Sequence, residues 1–194
     1  MFSTINDNTS SHPNKAIRHI DHITYVTDLE KEASFIEQWA AIGFKEHVRL
    51  RCNRYPATHI ALISGSTPDY PWSTMTGLSI SEDPNSPVNE FVRRYGTGIQ
   101  HCAYNIDPDV DMEAVHEDMK KLGWVFMTPV LTYNDNAGAL LKQMFIPPAR
   151  PFGTFLEFIQ RLPGPDGNAF DGFDTSNIDD LYECYDKHSR SIDK

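Results

Sequence analysis

The chain contains an approximate copy of itself. "IDHITYV" starts at Ile20 and "IQHCAYN" at Ile99, and both read Ile-x-His-x-x-Tyr. Further on, "WAAIGFK" starts at Trp39 and "MKKLGWV" at Met119, each closing a helix-like stretch in aliphatic-Gly-aromatic. The two histidines stand 79 residues apart and the two glycines 80. Two separate matches at a near-constant offset indicate an internal duplication. A repeated unit of this kind buries one face against its neighbour.

Each copy reads in the same order. In the first, "HITYV" is β-branched and aromatic and predicts a strand. "DLEKEASFIEQWAAIG" predicts a helix, with Asp28 as N-cap, Phe35, Ile36, Trp39 and Ile42 on one stripe, and Gly43 as the stop. "FKEHVRLRC", "THIALISG" and "TGLSISE" predict three more strands. In the second copy, "IQHCAYNI" predicts a strand and "DVDMEAVHEDMKKLG" a helix with Met112, Val115, Met119 and Leu122 inward. "WVFMTPVLTY", a strand interrupted by Pro129, then "ALLKQMFIPP" and "GTFLEFIQRL" complete it. A short helix is expected at Val88–Tyr95, and "SGSTPDYPWST" reads as a loop from its Pro, Gly and Ser content. The predicted fold class is α+β: two tandem βαβββ modules forming a cup-shaped mixed sheet. Module one takes 18–83, a linker 84–97 and module two 98–162, after a flexible polar arm at 1–17.

Charge and cysteine usage narrow the function classes. The net charge is −10, from 17 basic and 27 acidic residues, without a basic stripe. Phosphate neutralisation supplies most nucleic-acid affinity, so no nucleic-acid partner is expected. The same charge disfavours anionic membrane surfaces, and no apolar run approaches the ~18–20 residues of a membrane span. The first residues lack the apolar core of a secretory signal. Three widely spaced cysteines, with no CxxC pair, suit a reducing cytoplasm and argue against a disulfide framework or a cysteine zinc site.

The paired βαβββ pattern resembles the vicinal oxygen chelate superfamily, which includes glyoxalase I, extradiol dioxygenases and 4-hydroxyphenylpyruvate dioxygenase. In that superfamily the first strand of each module and the last strand of a module supply metal ligands to the inside of the cup. By position the ligands here are His22, His101 and Glu157. A strand histidine by itself is more often a core or surface residue, but these two are repeat-equivalent. Glu157 lies in the otherwise apolar "GTFLEFIQ", where an ionised carboxylate is costly unless paired or metal-bound. Two histidines and one carboxylate match the facial triad of non-haem Fe(II) oxygenases, although the ligand types also admit Mn, Co or Zn. Ser79 falls opposite Glu157 in the repeat, where glyoxalase-like enzymes carry a fourth ligand, so three protein ligands are expected. His19 is assigned to the opposite face of the strand, and His47, His59, His116 and His188 are read as structural or exposed.

The second half is most similar to the C-terminal half of 4-hydroxyphenylpyruvate dioxygenase. "YGTGIQHCAYNI", "LLKQMFIPP", "FLEFIQR" and "GFDTSNIDDLYECYD" carry that resemblance. It implies a C-terminal lid at 163–190 whose helix lies over the cup. It also implies substrate contacts from Gln143, from Phe173 and Asn177 of the Gly-Phe-x-x-x-Asn segment, and from Ile178, which stands where the family has an aromatic. The implied function is an Fe(II) dioxygenase using O2 on a 2-oxo acid or similar bidentate chelating small molecule. The alternatives are a metal-dependent glyoxalase, epimerase or lyase of the same fold, and a non-catalytic small-molecule-binding protein. The dioxygenase family carries two further modules before this pair, and here only a polar arm precedes His22. The surface those modules would cover leads to the expectation of a homodimer.

Overall fold

A computed structural model describes residues 16–52, 54–65, 74–148, 153–170, 173 and 175–192, with side chains as far as 188. Most of the expected arm, and the "SGSTPDYPWST" loop over 66–73, lie outside the described residues. The first module runs β1 (Ile17–Val26), a 3-10 turn (Leu29–Lys31), α1 (Glu32–Ala40), β2 (Phe44–Cys52), β3 (Ala57–Ser64) and β4 (Met75–Ile80). Helix α2 (Pro87–Tyr95) joins it to β5 (Gly98–Ile106), α3 (Met112–Lys121), β6 (Leu131–Asn134), β7 (Leu140–Ile146) and β8 (Phe155–Leu162), and α4 (Thr175–Ile192) follows. The eight strands form one sheet in the order β2-β3-β4-β1-β5-β8-β7-β6. Each first strand is parallel to the last strand of its own module, β1 with β4 and β5 with β8. The two first strands meet antiparallel at the centre. The protein is therefore the α+β, two-module mixed sheet expected from the repeat.

The sheet buries its two faces differently. On the convex face of module one, Ile60, Leu62, Leu78 and Ile80 pack under Phe35, Ile36 and Trp39 of α1. On that of module two, Ile106, Met144 and Phe158 pack under Met112, Val115 and Met119 of α3. The concave face is filled from the other side. Ile178, Leu181, Tyr182 and Tyr185 of α4 enter the cup against Val26, Phe145 and Phe155. Each such side chain contributes about 1.5–3 kcal/mol on burial, which fixes α4 as a plug of the cup.

The repeated glycines have a physical cause. Gly43 and Gly123 take φ of +98° and +91°, a conformation open to glycine, and both stop their helices. That stop corrects two expectations. Ile42 and Leu122 are each 69% exposed, because α1 ends at Ala40 and α3 at Lys121, so neither residue stays on the apolar stripe. A third correction concerns "WVFMTPVLTY", of which only the last three residues lie in a strand, β6 (Leu131–Asn134). Pro129 removes a ladder donor, and Phe126 and Val130 pack on the convex core instead. Among the described residues, no helix is long and apolar enough to cross a membrane.

Candidate metal centre

Three strands bring His22, His101 and Glu157 to one point of the concave wall. His22 is on β1, His101 on β5 and Glu157 on β8, and all three are buried. Their donor atoms form a small triangle: His22 Nε2 to His101 Nε2 is 3.3 Å, His101 Nε2 to Glu157 Oε2 is 3.4 Å, and His22 Nε2 to Glu157 Oε2 is 3.5 Å. Donors held about 2.1 Å from a shared divalent ion stand roughly 3.0–3.4 Å apart, for angles between octahedral and tetrahedral. The spacing therefore fits a metal, and the three residues form a group that could hold one. The donor set, two imidazoles and a carboxylate, suits Fe, Mn, Co or Zn.

The strand pairing explains how adjacent residues join the site. The β1–β5 ladder shifts register between Ile20 and His22 and again between Thr24 and Tyr25. The first shift makes Asp21 an extra residue in β1, and the second makes Gln100 an extra residue in β5. Each bulge sits immediately before a histidine of the triangle and re-aims the extra side chain. Asp21 thereby reaches its own neighbour, accepting from His22 Nδ1 at 2.9 Å, which leaves His22 Nε2 facing the triangle. Period-two alternation would send Asp21 and Gln100 to the convex face. This is why the sequence reading omits them.

Asp21 is held in turn from β8. Arg161 donates from Nε to Asp21 Oδ2 and from Nη2 to Asp21 Oδ1, both at 3.0 Å, and from Nη1 to the Phe170 carbonyl at 3.0 Å. Its guanidinium also lies 5.5 Å from the centre of the Phe173 ring, and that ring meets His22 edge-on at 4.9 Å. Burial alone would raise the Asp21 pKa, but His22 and Arg161 hold it well below the usual carboxylate range. Burial likewise opposes a charge on His22, yet Glu157 and Asp21 outweigh it and raise its pKa to about 9. Burial, followed by the charge of His22 and then His59, pushes His101 well below its ordinary value.

A second set of contacts orients the carboxylate. Gln143 on β7 donates from Nε2 to Glu157 Oε1 at 2.6 Å, and Asn177 of α4 donates to Gln143 Oε1 at 3.1 Å. Both ends of the Gln143 amide are thus engaged, and Glu157 Oε2 is turned to the histidines. Gln143, Phe173, Asn177 and Ile178 all line the one cavity that contains the triangle. His19 is exposed and takes no part in the triangle. His59 is not: it lines the same cavity, which corrects its reading as structural or exposed. The available signal was the pairing of His59 and Ala61 with Ser79 and Gly77 across β3 and β4, a row of small and polar residues behind the apolar Ile60, Leu62 and Leu78.

No family model matches the sequence, and no curated protein is similar enough to align with it. Solved structures do match. A triple mutant of 4-hydroxymandelate synthase from Streptomyces coelicolor superposes with a TM-score of 0.70 at 21% identity, over 88% of this chain and 55% of its own. A fusion of a xylose isomerase-like TIM barrel with a 4-hydroxyphenylpyruvate dioxygenase gives 0.64 at 20% identity, over 89% of this chain and 29% of its own. Methylmalonyl-CoA epimerase from Streptomyces coelicolor, bound to 2-nitronate-propionyl-CoA, gives 0.54 at 21% identity, over 75% of this chain and 98% of its own. The chain thus spans about half the length of the synthase it matches. Identities this low establish a shared fold alone.

Proposed function

We propose that the protein is a non-haem Fe(II) dioxygenase acting on a 2-oxo acid or a similar bidentate chelator. The observation that carries this reading is the buried triangle of His22 Nε2, His101 Nε2 and Glu157 Oε2, with sides of 3.3–3.5 Å, at the wall of a largely apolar cup. In the strand pairing the repeat position of Glu157 belongs to Gly77, which pairs with Thr24 as Glu157 pairs with Ala103, and not to the Ser79 expected from the sequence; glycine has no side-chain donor, which supports a site of three protein donors. Bound there, Fe(II) supplies a redox-active centre with positions open to a chelating substrate and O2.

The chain's own residues do the rest. Asp21 accepts from His22 Nδ1, so Nε2 is the nitrogen that would face a metal once its proton is displaced. Gln143, itself held by Asn177, keeps Glu157 Oε2 aimed at the histidines. Phe173 covers the edge of His22, while Ile178 and Leu181 of α4 shield the cavity from water.

The similarity to methylmalonyl-CoA epimerase over 98% of that chain favours a second reading, non-redox Lewis-acid chemistry. Such a reaction needs a base beside the substrate carbon. Among the described lining residues Glu157 is the only carboxylate, and it belongs to the triangle. The proposal includes a homodimer, supported by Ile17, Leu122 and Trp124, which share one exposed groove on the convex face. Light scattering that returns only a 22.1 kDa species refutes the dimer.

The test of the reaction is oxygen uptake. The protein is loaded anaerobically with Fe(II), mixed with 4-hydroxyphenylpyruvate or one of a panel of 2-oxo acids, and exposed to O2. Substrate-dependent O2 consumption with CO2 release, lost in Glu157→Ala, is expected. Bound iron without uptake across the panel overturns the dioxygenase reading and moves the assignment to the non-redox one.

A further inference from the structure

One hydroxyl beside the triangle has no task in the fold. Thr24 follows His22 by two residues on β1, so both side chains point into the cup. It pairs with His101 across β5 and with Gly77 across β4. Thr24 is buried and lines the cavity together with the three candidate ligands. Its hydroxyl has no hydrogen-bond partner among the described residues and opens on the cavity. The other hydroxyls and amides of the wall are engaged: Ser79 with His59, Gln143 with Glu157, Asn177 with Gln143, and Tyr182 with Gln100.

The neighbouring strand makes room for this hydroxyl. A Cβ on Gly77 would lie 2.5 Å from Thr24 Oγ1, so Thr24 can keep its rotamer only beside a glycine. Gly77 holds the repeat position of Glu157, and the hydroxyl therefore fills the start of the path that a ligand side chain from β4 would take. Module two shows the reverse: Ala103 holds the repeat position of Thr24, and Glu157 beside it reaches the triangle. One module sends a carboxylate to the triangle, and the other sets a hydroxyl on the side that has no protein donor. A chelating acid would meet that side with charge. A 2-oxo acid bound through its keto oxygen and one carboxylate oxygen keeps the second carboxylate oxygen off the metal. No lysine or arginine is among the described residues that line the cavity, so this oxygen needs a neutral donor. A hydroxyl donating to a charged oxygen makes a hydrogen bond about twice as strong as one to a neutral acceptor. Two residues along a strand span roughly 6.6 Å, about the reach of a metal-bound carboxylate and one hydrogen bond.

We infer that the Thr24 hydroxyl is a substrate-binding group that donates to the off-metal carboxylate oxygen of a chelated 2-oxo acid. The inference rests on the metal-centred reading of the cup and deepens it. It places the acid end of the chelator toward module one, against β1 and β4. It makes the acid end itself a determinant of binding, whatever side chain the substrate carries.

The test uses the full chain loaded with Co(II), whose visible spectrum reports metal binding independently of turnover. Pyruvate, 2-oxopentanoate and phenylpyruvate share the acid end and differ in the side chain, and each is titrated against the wild type, Thr24→Val and Thr24→Ser. Thr24→Val keeps the shape and removes the donor, so every probe that the wild type binds is expected to weaken about 10–100-fold, by a similar factor whatever its side chain. Thr24→Ser, which keeps the hydroxyl, stays within about three-fold of the wild type. Thr24→Ala, which needs no added room in the sheet, repeats the loss seen with valine. Co(II) affinity and spectrum stay at their wild-type values in all three variants. Binding in Thr24→Val and Thr24→Ala within about two-fold of the wild type overturns the inference. So does a loss that Thr24→Ser shares, a loss confined to one side chain, or a loss of Co(II) together with the probes, which marks a structural role. A wild type that holds Co(II) but binds no 2-oxo acid removes the chelator reading together with the inference, and a wild type that holds no Co(II) removes the metal-centred reading on which both stand.

Discussion

Asp21→Asn is the most informative single change, because it alters charge and proton count while keeping shape. Four donors converge on this carboxylate: His22 Nδ1 and Arg161 Nη2 on Oδ1, and Arg161 Nε and Asn105 Nδ2 on Oδ2. An amide nitrogen accepts from none of them, so in either orientation one pair of donors loses its partner. The Arg161 side chain is 12% exposed and Asp21 8%, so the guanidinium is left largely buried without its counter-charge. Breaking such a pair costs about 3–5 kcal/mol, a large share of the roughly 5–15 kcal/mol that holds a domain together. Metal affinity should fall by about 10–100-fold, since His22 loses the acceptor that fixes its tautomer. Urea unfolding of the metal-free protein and competition with a chromophoric chelator measure the two effects separately. The double variant Asp21→Asn/Arg161→Met removes both charges, so most of the stability returns while metal affinity stays low. A single variant that loses under about 1 kcal/mol refutes the account of the pair. A double variant that recovers metal affinity together with stability refutes the positioning role of Asp21.

Other outcomes follow from the same geometry. With its pKa raised to about 9, His22 carries a proton at neutral pH that an incoming metal must displace. Apparent metal affinity should therefore rise about ten-fold per pH unit from roughly 7 to 9 and then flatten, and calorimetry in buffers of different ionisation enthalpy at pH 7.5 should count about one proton released. A pH-independent affinity contradicts the paired His22–Glu157 arrangement. Gln143→Ala leaves Glu157 Oε1 and Asn177 Nδ2 without each other's bridge, and chelator competition should show metal held about ten-fold less tightly. Far from the triangle, Gly153 has φ +72°, and a Cβ there would collide with the Tyr95 ring. Gly153→Ala should cost at least about 2 kcal/mol in urea unfolding, whereas an unstrained glycine-to-alanine change would stabilise.

The repeat made much of this protein legible from its residues. The offset between the two histidine strands, and between Gly43 and Gly123, announced two equivalent modules, because a duplicated unit reuses the same local physics: a strand, a helix closed at a positive-φ glycine, and three strands. Once the modules were paired, His22 and His101 became a pair, and Glu157 stood out as a charge in an apolar strand. What the sequence could not announce is a bulge. The extra residues Asp21 and Gln100 break the two-residue alternation, and nothing in their identity marks them as misplaced by one position. Bulges arise from how two strands 79 residues apart choose their register, which is a property of the pair and not of either strand. The same holds for His59 and Arg161. Each is an ordinary polar residue of an alternating strand until the curl of the sheet, closed by α4, decides that its face looks into the cup. Local pattern determined which elements form and where two ligands repeat. Only the closure of eight strands around one helix decided which polar side chains meet there.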